Sequence, residues 1–372
     1  MRSLRPSCRW QSRRSCDSIG RYAASEAWYR CRQAVYWAGM LDPLASPIAR
    51  CCKPVSIVCR ALVLLLGGTA VLAAGCAGAS ARPVAFETRE WVSPAGLRGV
   101  QILTEHYDLR TTSADTVLRD VLPVFVESAY REYARLIPPE QPAGERMVVY
   151  IFRNRQEWAL FTRRFAPAHA DTYLHILSGG YMDQATGTSV LWDVKRDHTL
   201  ALLAHEGLHQ YLARQRSGPI PAWLNEGLAT QFEDFDLEGY RPVFRPQRNL
   251  LRKNSLREAL SIPDSMIPLN KLLSMHAGEA VVRPGQRARG YYGQVWITVL
   301  FLQHSPQYRD AFARLLDDVG TDRMRDNINA YRATTPEAAD LSDGEILFRH
   351  YITQELDDFE DELRAYARRL VY

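Results

Sequence analysis

The chain has 372 residues, of which 47% are hydrophobic and 24% are charged. These values are typical of a soluble globular protein with one or two domains, and they exclude collagen-like, disordered and multi-span membrane proteins. The formal net charge of +4 arises in residues 1–76, which hold 11 Lys and Arg but only 3 Asp and Glu. The remaining residues hold 35 basic and 39 acidic side chains, so we expect no nucleic-acid partner.

All seven cysteines lie at or before Cys76. The rest of the chain therefore has no disulfide framework, no thiol nucleophile and no cysteine metal site. Any metal ion bound after residue 76 must be held by His, Asp or Glu side chains.

The leader contains an apolar run at residues 61–75, ALVLLLGGTAVLAAG, which follows three basic residues. A basic segment, a short apolar segment and small residues at its end predict a secretory signal, whereas a membrane-spanning helix needs about 20 apolar residues. The run ends in Leu72-Ala73-Ala74-Gly75-Cys76, which resembles the lipobox of bacterial lipoproteins. That resemblance implies a lipid anchor at Cys76 and a place in the cell envelope, at the outer membrane or facing the periplasm. An ordinary cleaved signal or an uncleaved anchor is the alternative.

The position of this signal also bears on the start of the protein. A secretory signal stands near the N-terminus, yet 60 residues precede this one. Met40 would give the signal a basic segment of ordinary length, so we expect that residues 1–39 are not translated.

After the leader, the sequence predicts an α+β fold. Residues 77–98 are punctuated by Ala, Gly and Pro and are predicted to be a linker. A small lobe with an α/β sheet is expected over about 99–215, with strands at 100–111 and 147–152, a pair of strands joined by a turn over 179–193, and helices at 113–136, 155–165 and 198–215. An all-helical lobe is expected over about 216–372, with helices at 225–236, 255–261, 268–275, 291–304, 307–318, 322–331 and 343–370.

Near the join of these lobes, the segment His205-Glu206-Gly207-Leu208-His209 lies in a stretch with helical apolar periodicity. Positions i and i+4 share one face of a helix, so His205 and His209 can bind one zinc ion together. Glu206 is one step round the helix, near the metal but free to accept a proton from water. A solvated helix face with two incidental histidines is the structural alternative.

Two imidazoles leave zinc under-coordinated, because a catalytic site needs three protein ligands and an open position. Glu226 follows His209 by 17 residues, within Trp223-Leu224-Asn225-Glu226-Gly227. Pro219 and Pro221 are expected to turn the chain, so that a second helix presents Glu226 to the same ion. A surface glutamate is the ordinary alternative.

The segments HEGLH and WLNEGLA together resemble the gluzincin branch of the zinc metallopeptidases. The resemblance is firm over these motifs and looser over about residues 145–300, and the whole chain resembles uncharacterised bacterial peptidase MA-like lipoproteins. It implies a thermolysin-like catalytic core with one zinc ion held by His205, His209 and Glu226. It also implies that Glu206 is the general base.

Further positions are indicated by weaker signals. Thr230 and Glu233 lie on the metal-facing side of the second helix, and either could hydrogen-bond a ligand histidine. Tyr292, in a Tyr-x-Gln-x-Trp segment, resembles a tyrosine that stabilises the tetrahedral intermediate in gluzincin aminopeptidases. The segment from Gly180 to Asp183 resembles their Gly-x-Met-Glu-Asn segment, which implies substrate binding by these two residues. The alternatives are a helix surface, packing of the tyrosine, and an edge strand without amine recognition.

The sequence therefore predicts a zinc-dependent peptidase of the cell envelope that uses general-base catalysis. Its expected partners are a peptide or protein substrate and, through Cys76, the membrane. A catalytically silent lipoprotein that binds peptides or envelope proteins is one alternative, and it would be expected to lack Glu206 or a ligand. A structural zinc site is another, but such sites usually have four protein ligands.

Replacing Cys76 with Ser should release the protein from the membrane fraction and leave its fold intact, because the chain after residue 76 contains no cysteine. Fractionation of cells that express the wild type and the Cys76→Ser variant measures this. A variant that stays in the membrane with its leader attached would establish a signal anchor in place of a lipid anchor.

Overall fold

The computed structural model describes residues 83–93, 95–142, 144–176, 179–275 and 286–372. The leader, Cys76 and the first part of the predicted linker lie outside these residues, so their assignments stay predictions. Among the helices of the described part, none has the length and apolar character needed to cross a membrane.

The sheet of the first lobe is mixed, with the strand order β1-β2-β3-β4-β6-β5. Its strands are β1 (Glu87–Val92), β2 (Arg98–Leu103), β3 (Tyr107–Thr111), β4 (Met147–Phe152), β5 (Gly180–Asp183) and β6 (Thr188–Trp192). Strands β3, β4 and β6 are parallel, whereas β1, β2 and β5 are antiparallel to their neighbours. Strand β4 is apolar throughout because both faces are covered: Val149 and Ile151 join the larger core, and Tyr150 and Phe152 the smaller one.

Helices cover both faces of this sheet and make up most of the second lobe. The first lobe has α1 (Thr116–Leu136), α2 (Arg155–Phe165), α3 (Ala170–Tyr173) and α4 (Arg196–Gln215). The second lobe has α5 (Ala222–Ala229), α6 (Leu250–Ser261), α7 (Leu269–Ser274), α8 (Gln286–His304), α9 (Arg309–Asp318), α10 (Asp322–Thr334), α11 (Asp343–Tyr351) and α12 (Leu356–Val371). The predicted α+β class is confirmed, and the predicted helix 343–370 is two helices.

Two predictions for the start of the domain are wrong. The predicted linker contains strand β1, which pairs with β2 through a turn in which the Ser93 hydroxyl accepts from the backbone N–H of Leu97 at 3.0 Å. The predicted strand 100–111 is two strands, because the chain between β2 and β3 bends around Glu127. That carboxylate accepts from Thr104 Oγ1 at 2.6 Å and from the backbone N–H of His106 at 2.8 Å. Such long-range contacts leave no trace in local periodicity.

The second lobe is not all helical, which corrects another prediction. Strands β7 (Phe235–Glu238) and β8 (Arg241–Phe244) form a hairpin whose two-residue turn has Gly239 at φ 66°. The predicted helix 225–236 is therefore α5 followed by a 3₁₀ turn, Thr230–Phe232. The rings of Phe235 and Phe244 lie 5.1 and 6.4 Å from that of Phe125 on α1, so aromatic burial favours the hairpin over a longer helix.

Helix α5 lies close to α8 because Gly227 has no side chain. A Cβ atom at this position would lie 2.5 Å from Cγ2 of Val299 and 2.8 Å from the carbonyl oxygen of Val295. Pro221 precedes α5 as its N-cap residue and separates it from α4. The close approach fixes α5 in the core of the second lobe, with Glu226 facing α4.

Candidate metal centre

His205, His209 and Glu226 lie together at the join of the two lobes. His205 and His209 are one turn apart on α4, and their Nε2 atoms are 3.2 Å apart. The Oε2 atom of Glu226, on α5, is 3.4 Å from Nε2 of His205 and 3.6 Å from Nε2 of His209. The structure thus brings the three predicted ligands into one triangle of donor atoms, all from buried side chains.

The size of this triangle fits a tetrahedral zinc ion. Metal–ligand bonds of about 2.0–2.2 Å at tetrahedral angles place neighbouring donor atoms about 3.3–3.5 Å apart. The separations of 3.2, 3.4 and 3.6 Å lie around that value. Three protein donors would leave the fourth position for water or substrate, which is the composition of catalytic zinc sites.

Each of the two histidines is oriented from behind by a hydrogen bond at Nδ1. The Nδ1 atom of His205 lies 2.9 Å from Oε1 of Glu233, and that of His209 lies 3.0 Å from Oδ1 of Asn225. Both partners are acceptors, so in the neutral form each ring would carry its proton on Nδ1 and offer the Nε2 lone pair to a metal. Glu233 has the contact expected of it. Asn225 is not among the predicted residues, although its place directly before Glu226 was a signal that could have indicated it.

Three carboxylates and one guanidinium are buried around the triangle. Glu206, Glu226 and Glu233 are 1%, 0% and 9% exposed, and the fully buried Arg252 pairs with Glu233. With these four groups ionised and both histidines neutral, as metal binding requires, three negative charges against one positive charge leave a net charge of −2. Uncompensated charge is costly in a dry interior, so the cluster suits a divalent cation.

The pKa values of His205 and Glu226 reflect the close packing of carboxylates and imidazoles at this site. Burial lowers the pKa of His205, but hydrogen bonds to Glu226 and Glu233 outweigh burial and raise it to about 10. Burial would raise the pKa of Glu226, but His209 and His205 hold it well below its usual range. A protonated imidazole cannot bind a metal, so metal binding to this site would release a proton from His205.

Glu206 is placed to act on water. Its side chain is buried, and the Oε2 atom has no hydrogen-bond partner among the residues that the structure describes. Burial raises the pKa of this carboxyl group. Buried polar atoms nearly always have a partner, so this exception indicates that a water molecule or ligand belongs beside the carboxylate.

Thr230 and Tyr292 lie outside the donor triangle. The Thr230 hydroxyl donates to the carbonyl oxygen of Gly227 at 2.7 Å, where it stabilises the end of α5, so the support for His205 comes from Glu233. Tyr292 is buried on α8, with its ring centroid 5.2 Å from the guanidinium carbon of Arg252. The tyrosine ring therefore lies beside Arg252, and its catalytic role stays a prediction.

Gly180 and Asp183 have structural roles in the hairpin of β5 and β6. The Asp183 carboxylate accepts from the backbone N–H of Thr186 at 3.1 Å and from its hydroxyl at 2.7 Å, which closes the turn. A Cβ atom at Gly180 would lie 2.4 Å from the carbonyl oxygen of Val190. Turn formation and strand packing thus account for both residues, and their substrate-binding role stays a prediction.

Another group with metal-ligating side chains consists of Glu105, His106 and Glu127. It is less suited to a metal, because both oxygens of Glu127 already accept hydrogen bonds and Glu105 is exposed. This group provides a useful internal comparison, since Nδ1 of His106 lies 2.7 Å from Oε2 of a buried glutamate, much as His205 lies beside Glu233.

The residues of the centre fall within a stretch that matches a known family. Residues 199–324 match the model of a family described as "Protein of unknown function (DUF1570)". The stretch includes the three candidate ligands and also Glu206, Glu233 and Arg252. No curated protein and no solved structure matches the chain.

The purified protein should bind about one zinc ion per chain, because the described residues offer one triangle of suitable donors. His205→Ala, His209→Ala and Glu226→Ala should each abolish binding, as measured by metal analysis after dialysis. His106→Ala is the matched control: it removes a histidine that also contacts a buried glutamate but lies outside the triangle, and it should retain the zinc. Stoichiometric zinc in His209→Ala would contradict the assignment.

Proposed function

We propose that this protein is a zinc-dependent peptidase of the cell envelope, with a thermolysin-like, gluzincin-type centre. The observation that carries the proposal is the buried Oε2 atom of Glu206, which has no hydrogen-bond partner among the described residues and belongs to the residue directly after His205, a member of the donor triangle. A zinc triangle alone would suit several functions. A carboxylate that is free to take up a proton beside it suits hydrolysis.

The roles of the residues follow from their chemistry. His205, His209 and Glu226 would hold the ion, and when bound it supplies a Lewis acid that lowers the pKa of water and polarises the scissile carbonyl. Glu206 accepts a proton from the attacking water as the new carbon–oxygen bond forms. It then delivers that proton to the leaving nitrogen as the carbon–nitrogen bond breaks. Burial raises the pKa of Glu206, which makes the carboxylate a stronger base for the first step.

A second candidate function is a catalytically silent protein whose metal only stabilises the join of the lobes. The observation that favours it is burial, since His205, His209 and Glu226 are at most 3% exposed. Against it, a purely structural site would need neither an open fourth position nor a Glu206 Oε2 atom without a hydrogen-bond partner among the described residues. The two functions differ in whether the zinc-loaded wild type cleaves peptides.

Glu206→Gln should retain zinc and lose hydrolysis by about 10²–10⁴-fold, because the amide has the shape of the carboxyl group but cannot accept the proton. The measurement is cleavage of a peptide library, with zinc content determined on the same sample. Undiminished cleavage by the zinc-loaded variant would rule out Glu206 as the base. If the wild type binds zinc and cleaves no peptide, the silent alternative is correct.

Tyr292→Phe should lower the rate by about 10²–10³-fold with little change in zinc content, which is the usual loss for one oxyanion donor. Tyr291→Phe is the matched control, because Tyr291 is adjacent and equally buried, with its ring 5.3 Å from that of Tyr292. Both variants are assayed on a substrate that the wild type cleaves. A loss at Tyr291 alone would move the role by one residue, and no loss at either would assign both tyrosines to packing.

A further inference from the structure

Arg252 is a fully buried cation with no place in the zinc motif. It lies in the first turn of α6, where the Asn249 side chain caps the helix by accepting from the Arg252 backbone N–H at 3.1 Å. Its Nε atom donates to Oε2 of Glu233 at 2.6 Å, and its Nη2 atom donates to Oε1. The guanidinium group therefore donates hydrogen bonds to both oxygens of Glu233, the carboxylate that contacts Nδ1 of His205.

These two hydrogen bonds fix the orientation of the Glu233 carboxylate. Two parallel N–H···O bonds from a planar guanidinium hold a carboxylate in one plane. Asn249 Nδ2 adds a third donor, to Oε2, at 2.9 Å. The remaining direction at Oε1 is occupied by Nδ1 of His205 at 2.9 Å. A chain of contacts thus runs from α6 through Glu233 to a ring whose Nε2 atom belongs to the donor triangle.

Because burying this charged pair costs free energy, we infer that the pair has a functional role. Burying an arginine and a carboxylate far from water is expensive, and apolar residues of similar size often stabilise a fold as well or better. Most of the buried side chains described in the second lobe are apolar, and few of the others are charged. The pair also lies directly behind one of the predicted ligands.

We propose that Arg252 is a positioning residue for the metal: it holds Glu233 in the plane that receives the Nδ1–H of His205, and so aims Nε2 of His205 at the ion. The proposal rests on the metal site of the proposed function but does not depend on peptide hydrolysis. Neither Arg252 nor its helix carries a signal in the sequence that marks this role.

The direction in which an Arg252 substitution changes the affinity for zinc distinguishes a positioning role from a purely electrostatic one. Removing a positive charge close to a cation should tighten metal binding if charge alone matters. Removing the group that orients a ligand should weaken it, typically by about 10–100-fold. We therefore expect Arg252→Met to weaken zinc binding in spite of the lost repulsion.

The experiment measures the zinc dissociation constant, by competition with a chromophoric chelator, in the full-length protein. Arg252→Met and Glu233→Gln should each raise it by about 10–100-fold. The double variant should be no worse than either single one, because Arg252 acts through Glu233. Arg252→Lys, which keeps the charge but loses the fork of donors, should give an intermediate value.

Two matched controls remove similar groups elsewhere. Arg216→Met removes another buried arginine, which donates to the Pro138 carbonyl oxygen at 3.0 Å and pairs with Glu140. Glu127→Gln removes another buried carboxylate that contacts a histidine Nδ1. Both should leave the dissociation constant unchanged even if they lower the melting temperature.

If Arg252→Met folds poorly, the conservative variant Arg252→Lys still tests the proposal through its cobalt spectrum. The visible absorption of the cobalt(II)-loaded protein reports ligand geometry, and it should change in Arg252→Lys but not in the two controls. An unchanged or tighter dissociation constant in Arg252→Met, additive losses in the double variant, or an unaltered cobalt spectrum in Arg252→Lys would overturn the positioning role. A wild type that binds zinc but cleaves no peptide would overturn only the peptidase proposal.

Discussion

The buried negative charge of Glu206, Glu226 and Glu233 is the constraint on which the arrangement of the two lobes depends. Three carboxylates cannot be placed in a core of apolar helices unless cations or donors are placed with them. Arg252 supplies one positive charge, and the two histidines supply nitrogen atoms that can take up either protons or a metal ion. Helices α4, α5 and α6 each contribute groups to this small volume, so their packing must keep these groups together.

The centre belongs to neither lobe alone. Helix α4 packs on the sheet and brings His205, Glu206 and His209, while α5 and the turn after it bring Glu226 and Glu233. The close approach of α5 to α8 at Gly227 sets how far Glu226 reaches toward α4. The hairpin β7–β8 then returns the chain so that α6 lies behind Glu233. Each step moves a charged side chain into contact with a partner that is distant in sequence.

The parts of this centre that could be predicted are those that depend on local geometry. The spacing of His205 and His209 is meaningful on any helix, and Glu226 is indicated by its motif and by the prolines before it. The remainder depends on contacts between segments. Arg252 is 19 residues from Glu233, with a hairpin between them that helical periodicity does not reveal. The conformations around Gly180 and Asp183 are explained by a turn and a strand pair, which agrees with the edge-strand alternative to the substrate binding that the family resemblance implied.

The division of the donor triangle between two lobes has a consequence for how the protein responds to its surroundings. Any divalent ion that bridges α4 and α5 binds the folded chain and not the unfolded one, so its binding free energy adds to the stability of the fold. Above the dissociation constant, each tenfold change in free metal would change that stability by about 1.4 kcal/mol. The join of the lobes would then loosen in metal-poor conditions and tighten in metal-rich ones, which makes the persistence of the folded protein itself a measure of metal supply.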